Sequence, residues 1–192
     1  MNVLAAAAAA KHSEVADRAA AIGAIRGELW AEAAFTHAQS LWGSAASGTS
    51  VRESVQRARE ELGRAVRYAP HRSDAWLMLA DLAQRFASSE FDPTEAFRMS
   101  YYTGSNEIHL VPVRLMTVMK RDYFDDAELR ELIRHDIRLL LGLKQLAPIS
   151  AAYLEASVKG KDFLVRAVKD IDPAAAETLQ GGAKRQNTPV AD

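Results

Sequence analysis

The chain has 192 residues, no cysteine, a formal net charge of -1 and a pI near 6.5. The lack of cysteine excludes a disulfide framework, a thiolate zinc site and a cysteine nucleophile. The near-zero net charge offers no basic surface for nucleic acid, and no apolar run approaches the ~20 residues of a membrane span. Neither a nucleic-acid partner nor a membrane-spanning segment is therefore expected.

Residues 1–12 are interpreted as an N-terminal lead-in segment. They contain Val and Leu followed by six alanines. A secretory signal needs a basic start and a stronger apolar core, and neither precedes Lys11. A cytoplasmic location is expected, with the periplasm as the alternative if an N-terminal signal or anchor is atypical or missing.

Two helices are predicted next. Ser13 is the expected N-cap of the first, whose apolar residues recur at helical spacing, and a break is expected near Gly27. The second helix is predicted over residues 28–42. Residues 43–50 are rich in Gly and Ser, which indicates a flexible connection.

The strongest pattern is a junction between two amphipathic helices in the middle of the chain. Apolar and small residues recur at intervals of three and four from Val51, and Pro70 cannot continue that helix. Ser73 is the expected N-cap of the following helix, and Asp74 suits its positive dipole end. Trp76 begins a second apolar face and is expected in the core. The stretch therefore predicts the end of one helical hairpin and the start of the next.

This junction resembles the tetratricopeptide repeat (TPR), a helix-turn-helix unit of about 34 residues. The family pattern is W-x2-L-G-x2-Y in the first helix, then A-x3-F, A and P in the second. The good match covers about 30 residues, with Ala80 in place of the usual Gly and Ala83 in place of the usual Tyr. The matching positions are Trp76, Leu79 and Ala80 in one first helix, and Ala58, Leu62, Ala65 and Pro70 in the second helix before it.

The resemblance implies an all-α fold over residues 13–180, in which antiparallel helical hairpins stack as a short right-handed solenoid. It also implies a protein–protein interaction module, a scaffold or adaptor without catalytic activity and without a cofactor. In the family, the first helix of each hairpin lines a groove that takes peptides.

Counting from Trp76, the positions two before, one after, five after and eight after it should line that groove. They are Asp74, Leu77, Asp81 and Gln84. Two acids among them disfavour a peptide's terminal carboxylate as ligand. They favour a protein or peptide partner with a neutral or basic segment and one apolar anchor over Leu77.

Six further helices and a tail are predicted downstream. Most of their boundaries come from capping residues and from the positions of Pro and Gly. The first is capped by Asp92, runs from Pro93 to about residue 103 and is ended by Gly104, and the second covers 106–120, with a kink or a late start near Val111 because of Pro112. An amphipathic helix capped by Asp125 follows over 125–143, and then a hairpin of 148–159 and 162–171 around Gly160. A short helix after Pro173 and a disordered tail, 181–192, end the chain.

No residue pattern points to catalysis or to a metal. The five histidines have no partner at metal-ligand spacing in the sequence. Glu128, Glu131 and His135 share one helix, but a di-iron bundle needs the Glu-x-x-His motif twice. Salt bridges to Arg134 and Arg138 are expected for this trio instead.

Two other functional classes stay open. One is an all-α structural protein that assembles with copies of itself, for which an oligomer is expected. The other is a small helical ligand-binding protein or enzyme, which would have a buried pocket with convergent polar groups.

Overall fold

The computed structural model of the chain describes residues 3–23, 26–43, 49–86, 91–122 and 124–186. These residues form ten α-helices and one short 3-10 helix and contain no strand, which confirms the all-α class. None of the described helices is long and apolar enough to cross a membrane. The helices are α1 Val3–Ile22, α2 Gly27–Gly43, α3 Thr49–Tyr68, α4 Ser73–Arg85, α5 Pro93–Gly104, α6 Val111–Arg121, α7 Ala127–Gly142, α8 Leu146–Glu155, α9 Val158–Ile171 and α10 Pro173–Gln186, with the 3-10 helix at Ile108–Leu110.

The chain divides into two compact units, Met1–Ser105 and Asn106–Asp192. In the first unit, the principal contacts join each helix to the next, from α1 through α5. In the second unit, α6 packs against α7, α8 and α9, and α10 packs mainly on α9. In the first unit each helix thus packs mainly on the next helix in the chain, whereas in the second unit α6 contacts three other α-helices.

The central junction forms where the sequence predicts it. α3 ends at Tyr68 and α4 begins at Ser73, so Pro70 lies between them, as expected. Five of the seven residues of the repeat pattern are fully buried, which is the outcome that a shared core requires. They are Ala58, Leu62, Ala65, Leu79 and Ala80.

Two expectations about the start of α4 were wrong. The extended residue before the helix is Arg72 (φ -75°, ψ 92°), so Ser73 is the first helical residue and not the N-cap. Trp76 is only half-buried, and its indole Nε1 donates a hydrogen bond to the carbonyl oxygen of Pro70 at 2.9 Å. The indole therefore links α4 to the preceding turn by a hydrogen bond and is not a core side chain.

The first helix begins earlier than predicted. α1 starts at Val3, so Ser13 lies inside it and is not an N-cap. Alanine has the highest helix propensity, which explains why the run before Lys11 is helical. The predicted break near Gly27 is confirmed, since α2 begins there. Most of the predicted connection over 43–50 lies outside the described residues.

Local signals placed several later boundaries to within one residue. Asp92 caps α5 by accepting from the Thr94 N–H, and α6 begins at Val111, the late start that Pro112 allows. Gly104 is the last residue of α5. The cap of α7 is Asp126, whose carboxylate accepts from the Leu129 N–H at 2.8 Å, and not Asp125.

Gly160 was wrongly expected in the turn of the last hairpin. It lies inside α9, which Ser157 caps by accepting from the Gly160 N–H. A Cβ at this position would lie 2.4 Å from the Met119 carbonyl oxygen, so the glycine permits α9 to approach α6. α10 continues to Gln186, six residues into the predicted tail, and residues 187–192 lie outside the described part.

Candidate functional site

The predicted groove residues differ in their surroundings. Leu77 is 4% exposed, so it belongs to the core and offers no anchor to a partner. This corrects the expectation, because helical position alone does not tell an open face from one that packs against a neighbouring helix. Asp74 and Asp81 are half-buried, and the side chain of Gln84 lies outside the described part.

Arg72 connects the start of α4 to α2. Its Nε donates to Asp74 Oδ1 at 2.8 Å, and its Nη2 lies 3.5 Å from Glu32 Oε1 in α2. Its guanidinium also lies 5.9 Å from the centre of the Phe35 ring. Burial alone would raise the pKa of Asp74, but the guanidinium outweighs it and lowers that pKa below its ordinary value. Arg72, which directly precedes α4, thus contacts an acid on α2.

A second polar site lies where α1, α2 and α3 meet. His37 Nε2 of α2 lies 2.8 Å from Asp17 Oδ1 of α1 and 3.5 Å from Glu61 Oε1 of α3. The side chains of His37 and Glu61 are 5% and 8% exposed, and that of Asp17 is 35% exposed. We call these three residues the Asp-His-Glu cluster.

Alanines lie close to the cluster residues along α2 and α3. α2 carries fully buried alanines on both sides of His37, at Ala34 and Ala38. In α3, Glu61 is three residues after Ala58 and four before Ala65, so it lies on the helix's buried stripe. Alanines at these positions let the helices approach closely enough for short polar side chains to meet.

The electrostatics of the cluster follow from burial and from two carboxylates facing one imidazole. The hydrogen bond with Glu61 raises the pKa of His37 more than burial lowers it, and Asp17 adds to the increase. Burial raises the pKa of Glu61 against the opposing effect of the His37 hydrogen bond, and the neighbouring Asp17 carboxylate adds to the increase. One imidazole N–H cannot satisfy two carboxylates fully. Glu61 Oε2 is in fact buried without a hydrogen-bond partner in the described structure.

Sequence reasoning missed this cluster because its members are 20 and 24 residues apart and lie on three helices. One signal could have found it. Glu61 is an ionisable residue at a position of α3 where the spacing calls for a core residue, and such residues are rarely buried unless paired. Among the residues that the structure describes, the cluster is the one group of three side chains placed to hold a metal ion.

The three residues of α7 that the sequence analysis considered as a metal site are exposed. Glu128, Glu131 and His135 all lie at the surface. Glu131 lies 2.6 Å from the Arg134 guanidinium and 3.9 Å from that of Arg138, so the expected salt bridges are confirmed for this residue.

Comparisons with protein-family models, with curated proteins and with solved structures found no match to this chain. The resemblance to the tetratricopeptide repeat therefore rests on the residues of the central junction.

Proposed function

We propose that this chain is a TPR-like protein–protein interaction module, a scaffold or adaptor without catalytic activity. The observation that supports it is the position of Arg72, which contacts both Glu32 of α2 and Asp74 of α4. Neighbouring first helices are what a peptide-binding surface of this family is built from. The consecutive packing of α1 through α5 is consistent with the same architecture.

The charges on these two helices favour a neutral or basic partner segment. Glu32 and Asp74 share one cation, Arg72, and Asp81 follows Asp74 two turns further along α4. Acidic residues at these positions disfavour an acidic segment. Since Leu77 is buried, the half-buried ring of Phe35 is the better candidate for apolar contact with the partner.

Selection from a displayed library of random peptides tests the proposal. The enriched peptides should be neutral or basic, and fluorescence anisotropy should show weaker binding to Asp81→Lys and a smaller salt dependence. Reversing a charge at the rim of an interface acts mainly through the association rate and its salt dependence. Glu53→Lys is the matched control, because it changes the net charge equally at an exposed position of α3.

Three results would contradict this function. They are a selection with no enriched peptide, peptides that bind Asp81→Lys as they bind the wild type, and equal losses in Asp81→Lys and Glu53→Lys. The last result would mean that net charge alone governs binding.

A second function, self-assembly, is favoured by one surface of α1. Val15 and Ile22 are 59% and 89% exposed and lie seven residues apart, hence on the same side of the helix. If they pair with a second copy, light scattering should show a mass that rises with concentration, and Ile22→Ser should abolish the increase. A constant monomer mass would exclude it.

A further inference from the structure

The Asp-His-Glu cluster has the ligand types and spacing of a metal site. Zinc bonds to imidazole nitrogen and carboxylate oxygen are about 2.0–2.2 Å long, so neighbouring ligands in a tetrahedral site lie roughly 3.3–3.5 Å apart. His37 Nε2 is 2.8 Å from Asp17 Oδ1 and 3.5 Å from Glu61 Oε1, and one ligand atom from each residue lies within 4.8 Å of the others. Small side-chain shifts would bring all three atoms to bonding distance of one ion.

The carboxylate of Glu61 independently indicates that this cluster binds a ligand. Its side chain is 8% exposed, and its Oε2 has no hydrogen-bond partner in the described structure. A buried carboxylate oxygen without a partner is costly, because it loses hydration without replacement. A divalent cation bound by both carboxylate oxygens of Glu61 would remove that cost.

We propose that Asp17, His37 and Glu61 bind one divalent transition-metal ion, with Zn²⁺ as the best-fitting class. A nitrogen ligand separates this site from the all-oxygen sites of Ca²⁺ and Mg²⁺. The two carboxylates would neutralise the two charges of the ion, which a buried site requires. The chain has no cysteine, so the coordination sphere contains only nitrogen and oxygen from protein residues unless a methionine joins it.

The exposure of the ligands indicates which side of the ion is open. His37 and Glu61 are buried, whereas the Asp17 side chain is 35% exposed. Three protein ligands leave a fourth tetrahedral position, which water fills in open zinc sites. That position would lie toward the Asp17 side. The ion would thus tie α1 to α2 and α3.

Calorimetry on the full chain after chelator treatment tests the site. Zn²⁺ and Co²⁺ should each bind with one equivalent, and Mg²⁺ should give no binding. Bound Co²⁺ should show the intense visible absorption of tetrahedral coordination, and X-ray absorption of the zinc form should show a nitrogen and oxygen shell with an imidazole contribution.

Near-isosteric variants separate this site from adventitious binding. Glu61→Gln and Asp17→Asn should each weaken Zn²⁺ binding by about tenfold or more, since even outer-sphere partners of a metal contribute that much. His135→Gln and Glu131→Gln in the exposed trio should leave it unchanged. Circular dichroism checks that each variant is folded, and Asp17→Asn changes a side chain that is 35% exposed.

The outcomes that overturn the proposal are equally definite. The site does not exist if Zn²⁺ binds with well under one equivalent, if both cluster variants bind as the wild type does, or if the trio variants account for the binding. Mg²⁺ binding of equal strength would contradict the proposed class of ion. None of these results bears on peptide binding at α2 and α4.

Discussion

Two groups of one histidine and two acids occur in this protein, and their surroundings are opposite. Glu128, Glu131 and His135 lie on the surface of one helix, where Glu131 is neutralised by arginines of the same helix. In the Asp-His-Glu cluster the same residue types come from three helices, and two of them are buried. The two groups have nearly the same composition, so the loss of hydration on burial accounts for their different need of partners. Carboxylates in water need no partner, whereas a buried one takes up a proton or a cation.

The largest difference should appear when each histidine is truncated. His37→Ala leaves Glu61 buried without its partner and should lower the free energy of unfolding by about 3 kcal/mol, as removal of one member of a buried pair does. His135→Ala should change it by less than about 0.5 kcal/mol. Urea denaturation of both variants measures the two values. Equal effects would show that the burial of the cluster has no energetic consequence.

A smaller effect is expected from metal ions. If the cluster binds Zn²⁺, free zinc at about 100 times its Kd should stabilise the native state by roughly 2.7 kcal/mol, because the unfolded chain does not hold the three ligands together. Thermal denaturation with and without zinc should show the increase in the wild type and in His135→Gln. Glu61→Gln should show none. A zinc effect that survives in Glu61→Gln would place the ion elsewhere.

These two groups also show which structural features can be predicted from the sequence. Breaks at Pro70 and Gly27 and the cap at Asp92 were predictable, because each depends on the conformational limits of a few adjacent residues. The trio was visible because its members are one turn apart on one helix. The cluster was not, since its members meet only through the packing of three helices. The burial of Leu77 and the position of Gly160 inside α9 depend on helix contacts in the same way.

The pair of Arg72 and Asp74 is intermediate, since both side chains are partly buried, at 21% and 28% exposed. The pKa of Asp74 is lowered in the folded state, so the pair stabilises the protein fully at pH values above the ordinary pKa of 3.8. This contribution is lost as the pH falls through the lowered pKa. Asp74→Asn should therefore cost about 1 kcal/mol at neutral pH, and this cost should shrink as the pH falls below 3.8. Denaturation across this range measures it. A difference that grows as the pH falls would contradict the assigned sign.

The smallest effect is expected at Glu131. Its carboxylate is 60% exposed and its contacts with Arg134 and Arg138 are open to solvent and salt. Exposed ion pairs contribute roughly 0.2–1 kcal/mol, and helical pairs are at the low end of that range. Glu131→Gln should therefore reduce the free energy of unfolding by about 0.3 kcal/mol at low salt, and added salt should remove the difference because it screens exposed charges. Chemical denaturation at low and high salt measures both values.

Glu60→Gln on α3 is a control at another exposed acid, which contacts an uncharged residue, Gln56, and should show a smaller salt dependence. A loss above about 1 kcal/mol that persists at high salt would mean that the α7 surface is covered in the folded protein, and the contrast between an exposed and a buried group would then fail.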